Sequence, residues 1–368
     1  MNIFSHGTRA ALVTGLMLAA LPAAAQITVT DLRGREVTIT EPAQHVLLGF
    51  YYEDFLAVTG AGAVDRIAAL SRGPWADWRP EQWAAYTAAF PSLAQLPDVG
   101  DTEASTFSVE AAIAVQPDLV LLAGWQYDSL GQSIQQFDAA GIPVVVLDYN
   151  AQTLEAHLAS TRVLGAVMGQ TERAEELAAF YEEMMADTRA RVEAAGPIDT
   201  TVYVELAQKG PDEIGNTYGR GMWAGVIEQL GGHNIAAGQI ENWGPLSPEY
   251  TLAAQPDVIL LAGSEWRNRP AAVLLGWGAD PSLANERMAA YLTRPGWETL
   301  PAAQEGQVYG IYHGGARTLS DFAYFRFVAK ILHPEAFADV DPAAELTAYY
   351  ARWMPVQPQG LFVTQLQQ

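Results

Sequence analysis

A stretch of 17 residues occurs twice in this chain, 139 positions apart. Ser108–Gly124 reads SVEAAIAVQPDLVLLAG and Ser247–Gly263 reads SPEYTLAAQPDVILLAG, with ten identities that include Ser, Glu, Gln-Pro-Asp and Leu-Leu-Ala-Gly. Two copies this similar point to two related lobes. Each copy has the same physical reading. The serine is a good N-cap, the next seven or eight residues form a short helix, and Gln-Pro-Asp turns the chain. Leu119–Ala123 and Val258–Ala262 then run apolar without interruption, which suits strands buried on both faces of a parallel sheet.

Further strands are expected at His45–Phe50, Arg66–Leu70, Pro143–Leu147, Thr201–Leu206 and Gln307–Ile311. Helical segments such as Tyr52–Gly60, Ser129–Ala140, Trp223–Leu230 and Met288–Leu292 separate them. The alternation makes the class α/β, with two Rossmann-like lobes built on parallel-type sheets. Between the copies, Thr171 to Ala195 contains no Gly or Pro, and Leu177, Tyr181, Met184, Thr188 and Val192 recur at helical steps. Gly196-Pro197 stops this helix. At 1.5 Å per residue it spans roughly 37 Å, enough to bridge two lobes. The expected organisation is an N-terminal lobe over 26–170, the joining helix over 171–195, and a C-terminal lobe with C-terminal helices over 196–368.

The first 25 residues read differently. A short polar start ends at Arg9, an apolar run fills Ala10 to Leu21, and Ala23-Ala24-Ala25 precedes Gln26. This is the layout of a cleaved signal peptide, too short in its apolar part for a membrane span. The chain has no cysteine, which removes disulfides, thiolate metal sites and acylated-cysteine anchors. A periplasmic location fits these features. Twenty Lys and Arg face 42 Asp and Glu, a formal charge of -22, which argues against nucleic acid as a partner.

Asp31-Leu32-Arg33-Gly34-Arg35-Glu36-Val37 resembles the opening "D-x-x-G-R-x-V" hairpin of the class III substrate-binding proteins of ABC importers. The similarity continues in order through Leu230-Gly231-Gly232-His233-Asn234, Glu305-Gly306-Gln307-Val308-Tyr309 and Asp341-Pro342-Ala343-Ala344-Glu345-Leu346. The resemblance implies two lobes joined by a long helix and a ferric siderophore, haem or cobalamin as cargo. It also implies delivery to an inner-membrane permease with separate ATPase subunits, by a carrier expected to be a monomer.

Ligands of open α/β sheets bind beyond the carboxyl ends of the strands. That rule nominates Tyr51, Tyr52 and Glu53 after the first strand, and Arg72, Pro74, Trp75 and Trp78 after the second. It adds Trp125, Gln126 and Tyr127 after one repeated strand, and Ser264, Glu265, Trp266 and Arg267 after the other. Tyr218, Arg220, Trp243, Tyr312, His313 and Arg317 complete the set. Aromatic faces and arginine forks suit an extended organic anion, so a ferric siderophore or similar iron chelate is the first expectation, with no intrinsic cofactor. No short-spaced histidine pair is present, and a bare-metal site is not expected.

Haem and cobalamin are the alternatives. Haem carriers of the family that this chain resembles place a tyrosine ligand in the loop ahead of the first repeated helix, but Gly100 to Phe107 contains neither Tyr nor His. Tyr51, Tyr52 or His313 would then have to serve. The matched Glu110 and Glu249 lie at helix starts, where carboxylates are favoured. In the resembling family, glutamates at this place dock onto arginines of the permease. No G-x-S-x-G, H-E-x-x-H, phosphate-loop or EF-hand pattern occurs, so no catalytic residues are assigned. An exported hydrolase with an unrecognised site is the reading from another class.

Overall fold

The computed structural model describes residues 26–266 and 268–367. The leader expected over 1–25 and the cleft candidate Arg267 lie outside the described residues. In the first lobe, the strands Ile67–Leu70, Val46–Leu48, Leu119–Ala123 and Val144–Leu147 lie side by side in that order, all parallel. Every residue of these strands is buried, as expected where helices cover both faces.

The second lobe repeats the plan with Val308–Tyr312, Val258–Gly263, Thr201–Leu206 and His233–Asn234 in parallel. Val363–Gln365 adds an antiparallel edge strand at the end of the chain, so this sheet is mixed and the lobe does not end in helices alone. Both repeated strands are flanked by neighbours on each side.

The structure explains what the repeat preserves. Ser108 and Ser247 each accept a first-turn N–H, from Ala111 and Tyr250. Gln116 and Gln255 both adopt left-handed backbone, with φ of 52° and 47°, where the short helices end. Asp118 then accepts the N–H groups of Gln44 and His45, and Asp257 accepts from the backbone N–H and the hydroxyl of Thr201. The repeated Asp thus ties its turn to the start of the neighbouring strand in each lobe.

The long helix runs Thr171–Ala195. Its buried stripe is Leu177, Tyr181, Met185 and Thr188, with Met184 and Val192 only partly covered. Arg173 Nε donates to Ala57 O in the first lobe at 2.7 Å. Tyr181 donates to Asp321 Oδ1 at 2.7 Å, and Asp187 accepts from Arg326 at 2.6 Å, both in the second lobe. One helix is therefore bonded to both lobes.

One helix differs from the sequence reading. Over 129–140 the expected helix is replaced by Gly124–Leu130, a 3-10 turn Gly131–Ile134 and the short helix Gln135–Ala139. The first of these starts directly at the end of the repeated strand. Among the described residues no helix is long and apolar enough to cross a membrane.

Candidate ligand cleft between the lobes

The strand Val46–Leu48 stops earlier than its apolar pattern suggests, and Gly49 turns the chain. A Cβ on Gly49 would lie 2.7 Å from Gln126 Oε1 and 2.9 Å from Leu121 O, so only glycine fits. Tyr51 follows with φ 54°, an uncommon conformation for a non-glycine residue and the kind of strain found at functional sites. This turn leaves Phe50 beyond the sheet edge, at the centre of an aromatic wall. Its ring lies 5.3 Å from Trp125 and 6.2 Å from Trp78, which stack on each other at 6.3 Å.

Two arginines approach Phe50 from opposite lobes. Arg79 is 5.8 Å from the ring centroid and Arg317 is 5.5 Å; Arg317 also lies 6.0 Å from Trp78. Arg79 is 6% exposed. Arg79 Nη2 and Arg317 Nε are buried with no hydrogen-bond partner among the described residues. Burial and the charge of Arg79 push the Arg317 guanidinium down to about 10. Burial alone would lower Arg79 as well, but Tyr312, Glu53 and Glu265 outweigh it and its pKa is raised.

The second lobe supplies the facing wall. His313 lies between Tyr218 and Trp266, 6.3 and 6.2 Å from their rings, and its Nδ1 accepts from Trp223 Nε1 at 3.3 Å. Burial, with help from Arg317 and Arg79, holds the imidazole well below its usual range and therefore neutral at pH 7. Burial raises Tyr218 to about 12, so it is a neutral phenol. The resulting space has aromatic walls, a neutral histidine and two incompletely satisfied cations. Such a site attracts an anion with flat or apolar parts.

The nominated residues separate into four groups. Trp125, Tyr218, Trp266, His313 and Arg317 come together here. Tyr51, Tyr52, Trp75 and Arg72 brace the wall from behind: Tyr51 donates to Asn150 Oδ1 at 2.8 Å, and Tyr52 donates to the carbonyls of Gly49 and Ser71. Trp75 stacks on Tyr52 at 4.5 Å, and Arg72 Nη2 donates to Leu96 O. Trp243 is 58% exposed and sits opposite Tyr218 on a two-stranded ribbon at the rim, where Arg220 bonds Asn242. Tyr127 lies elsewhere, under the Arg35 guanidinium at 4.5 Å. It shares a helix with Trp125, and two residues turn the side chain about 200° away. Phe50 and Arg79 were not nominated. Phe50 was assigned to the strand, and the signal for Arg79 is Pro80, which marks a helix start just after it.

A family model described as "Periplasmic binding protein" matches residues 47–313. The chain belongs to that family. It is of the TroA-like, class III type, whose members are periplasmic binding proteins of ABC importers. The TroA-like periplasmic binding protein FepB from Veillonella parvula is similar at 32% identity over 93% of this chain and 100% of that one, with a TM-score of 0.87. The molybdate-binding protein MolA of Haemophilus influenzae is 23% identical over 94% of each chain. The vitamin B12-binding protein of Pectobacterium carotovorum subsp. carotovorum (strain PC1) is 25% identical over 67% of this chain and 80% of its own length. These relatives are binding proteins and not enzymes.

Proposed function

We propose that this binding protein captures an anionic ferric chelate, of the siderophore type, in the interlobe cleft and delivers it to an inner-membrane permease. The observation that carries the reading is the pair Arg79, buried, and Arg317, partly buried, which come from opposite lobes and each hold a buried N–H donor without a partner among the described residues. Burying cations without partners is costly, and an anion bearing several oxygens would relieve it. The rings of Phe50, Trp78, Trp125, Tyr218 and Trp266 suit a ligand with aromatic or extended organic parts. Among the described residues no three His, Cys, Asp or Glu side chains gather as a metal site, so the metal would arrive already wrapped in its chelator.

A small oxyanion is the second reading. The same two arginines favour it, and the molybdate-binding protein MolA aligns over almost the whole chain. Haem is less well supported, because Tyr51 and Tyr52 spend their hydroxyls on Asn150 and on backbone carbonyls.

Tryptophan-quenching titrations with ferric catecholate, ferric hydroxamate, ferric citrate, molybdate, haem and cobalamin test the reading. Saturation by an anionic iron chelate, lost in Arg317→Ala, is expected. Saturation by electrically neutral cobalamin alone, or by haem alone with an iron–phenolate band, would overturn it.

A further inference from the structure

The helix Pro80–Ala89 begins with an arginine at the position of a capping side chain. Arg79 is its N-cap residue, and a guanidinium has donors only. It cannot accept the N–H groups that the first helical turn leaves unpaired. The acceptor comes from the other lobe. Glu265 Oε2 takes the N–H of Glu81 at 2.8 Å and that of Gln82 at 3.1 Å. Glu265 follows the repeated strand Val258–Gly263, is 4% exposed, and receives Tyr312 Oη at 3.3 Å on its other oxygen.

We propose that Glu265 is a positioning residue for ligand capture. By capping a first-lobe helix from the second lobe, it latches the cleft shut and fixes Arg79 against Phe50. The role in capture rests on the reading that Arg79 receives an anionic ligand; the latch itself does not. The carboxylate sits at the positive end of the helix, which favours it further. The charged and titratable groups acting on it are Arg79 from the first lobe and Tyr312 from its own. Asp280 shares with it the lining of a cavity of about 250 Å³ beside the seam.

The latch has a definite pH sign. Burial pushes the Glu265 carboxyl up to about 7, against the pull of the Gln82 and Glu81 N–H groups and of Arg79. If the lobes part, solvent returns it toward the ordinary carboxylate range. The closed form then binds protons that the open form does not, so closure is strongest near pH 4.5 and weakens as pH rises to about 7. A protonated carboxyl still accepts both N–H groups through Oε2. Glu265→Gln should therefore keep the latch and flatten its pH profile.

Amide exchange in the ligand-free protein tests the latch directly, since Glu265 accepts the N–H groups of both Glu81 and Gln82. Their exchange should be at least tenfold faster in Glu265→Ala and return to the wild-type rate in Glu265→Gln. Wild-type protection should fall between pH 5 and 7 after correction for intrinsic exchange, with little such change in Glu265→Gln. If Glu265→Ala does not fold, Glu265→Asp, one methylene shorter, should show the same loss. Titration with ferric catecholate and with molybdate gives the second readout. The probe that binds wild-type protein should bind Glu265→Ala at least tenfold more weakly. Unchanged amide protection overturns the latch, and exposed amides with unchanged probe affinity overturn the positioning role. If neither probe binds the wild type, the positioning role and the anionic-ligand reading fall together, while the exchange data still decide the latch.

Discussion

Arg79 and Arg317 belong to different lobes yet share one ring, with guanidinium carbons 5.8 and 5.5 Å from the centroid of Phe50. Two cations brought this close in a buried place repel, which the lowered Arg317 pKa registers. Without ligand the arrangement is a stability cost retained for function, as expected of a binding site. Replacing Arg317 by Ala should lower affinity for a ferric catecholate roughly 100-fold, about 3 kcal/mol for a lost charge-assisted contact. The melting temperature of the ligand-free protein should stay level or rise. Arg317→Lys should restore only part of the affinity, because an ammonium cannot present a planar fork. A variant that melts lower and binds as well as wild type would contradict this account.

The interlobe seam carries a second buried acid. Asp54 Oδ1 accepts the Leu319 N–H at 2.7 Å, while Oδ2 is buried without a partner among the described residues. Burial pushes this carboxyl up to about 8; the Leu319 N–H opposes, and Glu53, His157 and Asp321 also act on it. A raised acid contributes stability that is intact below the ordinary carboxylate range and is lost as pH rises through about 8. Asp54→Asn keeps an acceptor for Leu319 and carries no charge. Its melting-temperature advantage over wild type should therefore grow between pH 5 and pH 9. A constant gap across that range would refute the assignment.

Most of the scaffold is legible in the sequence. The repeat located the central strand of each lobe, and the helix over 171–195 followed from periodicity and the absence of Gly and Pro. The aromatic ends of the strands pointed to the cleft. What could not be read were facts of direction. Tyr127 and Trp125 are neighbours in sequence but diverge once a helix begins at Gly124. Phe50 looks like a strand residue until Gly49 is seen to lack room for a Cβ. Pro80 marks the helix start beside Arg79, but that the opposite lobe caps this helix is a tertiary relation with no local signal.

The second lobe holds a buried ion pair away from the cleft residues. Arg294 grips Glu205 through two bonds of 2.6 and 2.9 Å and donates to the carbonyls of Pro211, Gly210 and Glu213. Tyr291 and Trp297 lie 4.5 and 4.7 Å from its guanidinium. Arg294→Ala strands a buried carboxylate and should cost about 3–5 kcal/mol, read as a shift in the urea midpoint. Arg294→Lys should recover less than half, lacking the fork and the flat stacking face. A loss under 1 kcal/mol would mean that the pair and its carbonyl partners contribute little net stability.

Glu110 and Glu249 are exposed, one on each lobe, and each accepts from the serine that caps its own helix: Ser108 Oγ at 3.3 Å and Ser247 Oγ at 2.8 Å. The bond from its own N–H, followed by the Ser247 hydroxyl, holds Glu249 below the ordinary carboxylate range. The same local device thus fixes a negative charge at equivalent places on both lobes. We propose that these two carboxylates are the contacts offered to the permease. Exposed charges of this kind govern encounter and register more than affinity, and their effect weakens with salt. Glu110→Ala and Glu249→Ala should each leave chelate affinity and melting temperature unchanged. Capture by the reconstituted transporter should slow several-fold, and more in the double variant, with the difference shrinking as salt rises from 50 to 300 mM. Charge reversal to Lys should be worse than Ala, because a cation would face the arginines expected on the permease. Equal transport by all four proteins would remove both glutamates from the interface.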